Sequence, residues 1–264
     1  MLERFTHTLR IGVAADSLAL VQTRGGWRPA SRLLAEVRVD LLEGGAALGN
    51  GLRRLLADVP AAGRAVTVVL ADDLARIWQV TPPQGASRMA DLEAAAALRF
   101  QALFGAPAAG WRISADWDAD RPFLAAALPA PLLATLQGLG AEHRFHLVEI
   151  TPQFVAALNG WRKLRRAGAW FALVHGAVLT LAVFEKGALA AVRTALIPAG
   201  SDRAWFEAHI AREALLVGVG EPALVQVCGG APRAWESAAC MLLGAQNAPD
   251  WSGAARLAAT GSMA

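Results

Sequence analysis

Lysine, cysteine and long uncharged apolar runs are scarce in this 264-residue chain. Lys163 and Lys186 are the only lysines, so the net charge of +3 rests on arginine. The arginines are scattered apart from Trp161-Arg162-Lys163-Leu164-Arg165-Arg166. No basic stripe interleaved with aromatics is present, so nucleic-acid binding is not expected. Cys228 and Cys240 have no His or Cys partners at metal-ligand spacing. That pattern indicates neither a zinc site nor a disulfide framework and suits a reducing compartment. The opening stretch MLERFTHTLRIGVAADSLALVQ shows no apolar core followed by a small-residue cleavage site, so a cytoplasmic location is expected.

What is abundant is apolar: the hydrophobic fraction is 55% against 18% charged, which excludes a disordered chain. The most apolar stretch is Trp170 to Gly187, WFALVHGAVLTLAVFEKG. Residues 167–184 carry no formal charge and follow four basic residues, so a membrane segment is one reading. A bilayer core asks for roughly 20 helical residues, however, and His175, Gly176 and Thr180 fall mid-run. Its Val, Phe and Trp content favours a buried β-hairpin.

Residues 9–39 read as three strands, Leu9–Ala15, Ser17–Thr23 and Ala35–Val39, with a turn at Arg24-Gly25-Gly26. An amphipathic helix over 45–59 places Ala47, Leu48, Leu52, Leu55 and Leu56 on one face and stops at Pro60. Ala65–Ala71 suits a strand buried on both faces, and Ile77–Val80 is a further strand. After Pro82-Pro83, Ser87 is the expected cap of a helix over 89–104. A strand pair at 110–117 and 121–128, a helix over 130–139 and a strand at 145–150 complete a small α+β insert. Thr151-Pro152 opens a helix running to about Arg166. Trp170–Phe184, a third strand at 188–195 and a helix over 204–216 repeat the β-β-β-α pattern. Leu224–Val227, Cys228-Gly229-Gly230 and a helix over 235–243 follow. The expected division is 1–86 (first lobe), 87–150 (insert), 151–246 (second lobe) and 247–264 (a flexible, turn-rich tail).

The stretches Gly12-Val13-Ala14-Ala15-Asp16-Ser17-Leu18-Ala19 and Val174-His175-Gly176-Ala177-Val178-Leu179-Thr180, with Gly229-Gly230, set in this order of elements, resemble the loops of the actin-like ATPase superfamily, an α/β fold of the ribonuclease H-like type with duplicated halves. The resemblance, which spans roughly 9–243, is nearest its type IV pilus (PilM-like) branch and the cytoplasmic part of type II secretion (GspL-like) proteins. That family's first phosphate loop reads D-x-G-S-x-x-x-K; here Gly12-Val13-Ala14-Ala15-Asp16-Ser17-Leu18-Ala19 stands in its place. Gly12, Ala14 and Ala19 replace the Asp, Gly and Lys, while Asp16 lies four residues late. The second loop, D-x-G-x-x-x-T, becomes Val174-His175-Gly176-Ala177-Val178-Leu179-Thr180. Gly229-Gly230 matches the glycine pair on the adenosine side.

The resemblance therefore implies only remnant nucleotide loops, at Asp16, Ser17, Gly176, Thr180, Gly229 and Gly230. Magnesium-ATP needs oxygen ligands for the metal and cations for the phosphates. With both carboxylates and the lysine replaced, the expectation is no catalytic residue, no metal, no ATPase activity and weak or absent ATP binding. The same glycines and threonine also serve as ordinary turn and packing residues. His175 reads as a core or hairpin-tip histidine. The resemblance further implies a scaffold, peripheral to the inner membrane, that binds the cytoplasmic N-terminal segment of a bitopic membrane protein and extends to an assembly ATPase. Trp78, Trp111, Trp117 and Trp161 cluster around the insert and its junctions; most read as core, and an indole there would anchor a peptide docked between the first unit and the insert. The competing reading is a working ATPase or phosphotransferase of the same fold using Asp16, Asp72 or Asp73.

Overall fold

The computed structural model describes residues 7–24, 30–41, 45–244 and 251–262. β1 (His7–Val13), β2 (Ser17–Arg24) and β3 (Ala30–Arg38) form an antiparallel meander. The expected turn continues past Arg24 outside the described residues. Helix α1 (Gly45–Leu56) crosses over, and β4 (Ala65–Leu70) returns parallel to β1. Its AVTVVL run is nearly all buried, as a strand covered on both faces requires.

β5 (Arg76–Val80), α2 (Met89–Phe104), β6 (Trp111–Ala115) and β7 (Phe123–Pro129) build the insert, whose sheet runs β5-β7-β6. Its core is aromatic: Phe100 lies between Trp78 and Trp111, at 5.3 Å from each ring. Trp117 packs on Phe123 at 5.8 Å. Ser87 does not cap α2; the Asp91 carboxylate reaches back to the Ser87 and Arg88 amides instead.

α3 (Ala130–Glu142) and β8 (His146–Pro152) return to the first lobe, where β8 extends the sheet to β3-β2-β1-β4-β8. Leu136 and Leu139 of α3 join Leu52 and Leu55 of α1 in one core. The insert therefore spans 76–129 rather than 87–150, because β5 hydrogen-bonds to β7, and β8 to β4.

α4 (Gln153–Gly160) connects the lobes and ends well before the expected Arg166. Its last residue, Gly160, packs closely on the chain after α6: a Cβ there would lie 2.7 Å from the Gly261 Cα. Arg165, beyond that end, stacks over Phe184 at 4.6 Å.

The apolar stretch is a hairpin, β9 (Trp170–His175) and β10 (Val178–Glu185), with Gly176 at φ 55° in its two-residue turn. Among the described residues no helix is long and apolar enough to cross a membrane. β11 (Ala188–Leu196), α5 (Arg203–Val217), β12 (Val225–Gly229) and β13 (Cys240–Leu242) complete a second sheet, β11-β10-β9-β12-β13. The two sheets repeat one topology, a meander whose first strand is joined in parallel by the strand after the helix. The helix expected at 235–243 is a short 3-10 turn and strand β13. Trp235 is buried on Phe206 at 4.6 Å, and Ser237 bridges to Cys240.

The expected flexible tail holds α6 (Gly253–Ala259). Ala254, Ala255, Leu257 and Ala258 are fully buried against the first-lobe sheet, on the face opposite α1. Small residues signalled a tail, but they are what lets a helix lie close to a sheet. Residues 247–250 lie outside the described part.

Candidate functional site

A cavity of about 970 Å³ opens between the lobes, where the tips of the two hairpins face each other. Ala14, Asp16 and Ser17 line it from the first hairpin, and Val174, His175 and Gly176 from the second. Gly229 and Gly230 at the end of β12, Gln153 at the start of α4, and Ser252 and Arg256 at α6 line it as well. Five of the six positions expected to hold remnant phosphate and adenosine loops are thus brought together. The sixth, Thr180, is 2% exposed and does not line the cavity.

Asp16 is exposed on the first turn and accepts the Ser17 hydroxyl at 2.8 Å. Gly229 sits at φ 86°, and a Cβ there would lie 2.2 Å from the Val174 carbonyl oxygen. That carbonyl accepts the Gly230 amide at 2.9 Å, so the glycine pair packs directly on the second hairpin. His175 sits half-buried at the hairpin tip. Burial lowers its pKa, partly opposed by Asp73 and Asp16.

The first phosphate-loop positions are a helix-packing surface. A Cβ on Gly12 would lie 2.2 Å from the Ala254 carbonyl oxygen and 2.8 Å from the Ala258 nitrogen. Ala19 packs with Ala254, Ala255 and Ala258, and Ala14 with Leu257. Arg10 fastens the helix, donating to the Ala258 and Thr260 carbonyl oxygens at 2.6 Å each. In the second loop Val174 is buried in the core beneath α5. No carboxylate stands at either metal position, and no group of three or more His, Cys, Asp or Glu residues with metal-binding geometry occurs among the described residues. The residues present do not match the demands of magnesium-ATP.

Two residues at the cleft base had weaker sequence signals. Thr151 was the expected cap of α4, yet Pro152 holds the cap position. The missing acceptor comes from Asp72, just after β4, whose Oδ1 accepts the Phe154 amide at 3.0 Å. Burial outweighs this bond and pushes Asp72 up to about 7. Gln153 donates to Thr260 Oγ1 at 3.1 Å and lines the cavity. Both residues act across long sequence separations, which local patterns do not reveal.

A second concavity of about 250 Å³ separates the first lobe from the insert. Leu124, Ala126, Leu128, Leu133, Pro152 and Val155 make it largely apolar, with Arg112 and Asp116 at its rim. β6 and β8, both edge strands, border it. Trp78 and Trp111 are absent from its walls because both pack into the insert core.

No protein-family model matches the sequence, and no curated protein matches it significantly. Solved structures do match the fold. A Bacteroides thetaiotaomicron protein with an actin-like ATPase fold and unknown function superposes with a TM-score of 0.61 at 12% identity, covering 94% of each chain. The cytoplasmic domain of EpsL, an inner-membrane component of the Vibrio cholerae type II secretion system, gives 0.55 at 15% identity, covering 95% of this chain and 92% of that one. A chain of the PilM-PilN type IV pilus biogenesis complex gives 0.56 at 17%, covering 84% and 81%. The duplicated sheets, the insert and the interlobe cleft together give this chain the actin-like ATPase fold.

Proposed function

We propose that the chain is a non-catalytic actin-like scaffold of a type IV pilus or type II secretion-like assembly apparatus. It works at the cytoplasmic face of the inner membrane and binds the cytoplasmic N-terminal segment of a bitopic membrane partner. The observation that carries the non-catalytic reading is α6 lying on the first hairpin, where Gly12 has no room for any side chain. A metal-site carboxylate at that position requires the helix to leave. The likeness in fold to EpsL and PilM supports the choice of apparatus.

The groove between the first lobe and the insert suits docking. It joins an apolar floor to two edge strands, the combination that captures an extended peptide. Co-expression with a bitopic membrane protein of such an apparatus is expected to give a stable complex. Ala126→Trp, which fills the groove, is expected to abolish that complex while leaving the melting temperature within a few degrees. An ATP-binding reading is favoured by the size of the cleft, since about 970 Å³ lies at the upper end for a small-ligand pocket. Isothermal titration with magnesium-ATP separates the two readings. The scaffold predicts no heat at millimolar nucleotide, and a robust hydrolysis rate lost in Asp16→Asn or Thr180→Val would sink it.

A further inference from the structure

The basic run Arg162 to Arg166 takes no part in the cleft or the groove. It lies in the link between α4 and β9, and that link is held from within. Gln226 of β12, 1% exposed, accepts the Arg166 amide at 2.8 Å and donates to the Leu164 carbonyl oxygen at 3.0 Å. Trp161 packs into the core around Phe154 and Phe171, and Arg165 stacks over Phe184. The backbone is pinned, yet Arg162, Lys163, Leu164 and Arg166 are all exposed, Leu164 to 57%.

Two further segments meet this end of the second sheet, where β9 and β12 begin side by side and β10 ends. The β10–β11 turn brings Lys186, and the last turn of α5, just ahead of β12, brings the exposed Leu215 and Leu216. Segments 161–168, 185–187 and 218–224 together hold five basic residues against two acidic ones, Glu185 and Glu221. The chain's only lysines, Lys163 and Lys186, are both here. Among the described residues, Arg162, Lys163, Arg166 and Lys186 form no ion pair. We propose that this end of the second lobe is a lipid-binding surface, on which these cations lie against the anionic headgroups of a phospholipid bilayer and Leu164 enters the headgroup layer.

Cations held in place without carboxylate partners are attracted to an anionic leaflet one by one, and each adds to the binding. Their long stems lie along apolar surface while the charged heads reach phosphate, and an exposed leucine among them gains by leaving water. An acidic peptide would be better served by a concavity, and neither the cleft nor the groove includes these residues. The contact needs no membrane partner, so it stands or falls separately from the docking groove.

Flotation of the full chain with vesicles of equal parts phosphatidylglycerol and phosphatidylcholine, against phosphatidylcholine alone, tests this. Binding is expected to the anionic vesicles only, and to be lost between about 0.1 M and about 1 M salt as the screening length falls from about 10 Å to about 3 Å. Arg162→Ala, Lys163→Ala and Arg166→Ala are expected to lower the partition coefficient about fivefold each and about a hundredfold together. Leu164→Ser is expected to lower it about tenfold. Removing the same charge from Arg32, Arg54 and Arg99, exposed arginines of the first lobe and the insert, is expected to leave it within about twofold. The proposal is overturned if the wild type ignores anionic vesicles, if the triple variant floats as well as the wild type, or if the distant arginines matter equally. A triple variant that floats normally but loses its complex with the membrane protein would assign the cluster to an acidic protein partner instead. Ala126→Trp is expected to float normally, which tells failure of the docking groove from failure of the lipid surface.

Discussion

Gly12 shows how much one missing side chain can mean. On the sequence it is a lost carboxylate; in the fold it is the contact that admits α6, with the Ala254 carbonyl 2.2 Å from where a Cβ would sit. Gly12→Ala is expected to cost about 1–3 kcal/mol, the usual range for overpacking a tight site, read as a lower urea midpoint with unchanged slope. Gly229→Ala combines the same kind of clash with a φ of 86°, and is expected to cost at least as much. Asp72 gives a different signature. Its pKa is raised in the folded state, so the folded chain holds a proton that the unfolded chain has released between about pH 4 and about pH 7. Stability from this group is full below that window, falls as pH rises through it and levels off above. Replacing it by Asn is expected to flatten that slope in pH-dependent thermal melts.

At the scale of elements, the hairpins were legible because strand-favouring apolar runs meet turn signals there, and the long insert helix because its run follows the Pro82-Pro83 break. The SLALVQ strand and the FALVH–VLTLAVF pair have strong β propensity on both sides of short polar or glycine turns. Helices held by distant partners were not legible. α4 draws its cap from Asp72, 82 positions away, rather than from Thr151. α6 looked like a tail because alanine and glycine carry little hydrophobic signal, yet Ser252 caps it, accepting the Ala255 amide at 3.2 Å. Its small residues tolerate no intrusion. Ala258→Asp, burying an unpaired carboxylate at a fully buried position, is expected to cost about 3 kcal/mol or more and to unfold the first lobe in thermal denaturation.

For the whole molecule, the site was partly legible in the sequence: the loop remnants converge on one cleft, but its second-lobe floor and its α6 wall depend on packing that motifs do not encode. The domain division slipped for a related reason. A strand's sheet is decided by its neighbours, and β5 and β8 chose partners beyond the expected boundaries. The insert also reaches the second lobe, where the Gln79 amide donates to the Leu189 carbonyl oxygen. Gln79→Ala removes this contact while sparing the groove. It is expected to leave partner affinity within about twofold in a titration with the membrane segment, and to increase exchange along β11.

The docking of α6 has a consequence for how the chain is made. Arg10 and Ala258 are 248 positions apart. During synthesis the glycine and alanine face of β1 and β2 emerges well before α6 and stays bare until that helix leaves the ribosome. For all that time it is an open sheet face with no mate, the kind of surface that chaperones hold and neighbouring chains invade. A polypeptide arrested before residue 251 lacks α6 to cover it, so arrest there is expected to yield aggregate or proteolytic fragments rather than a folded first lobe.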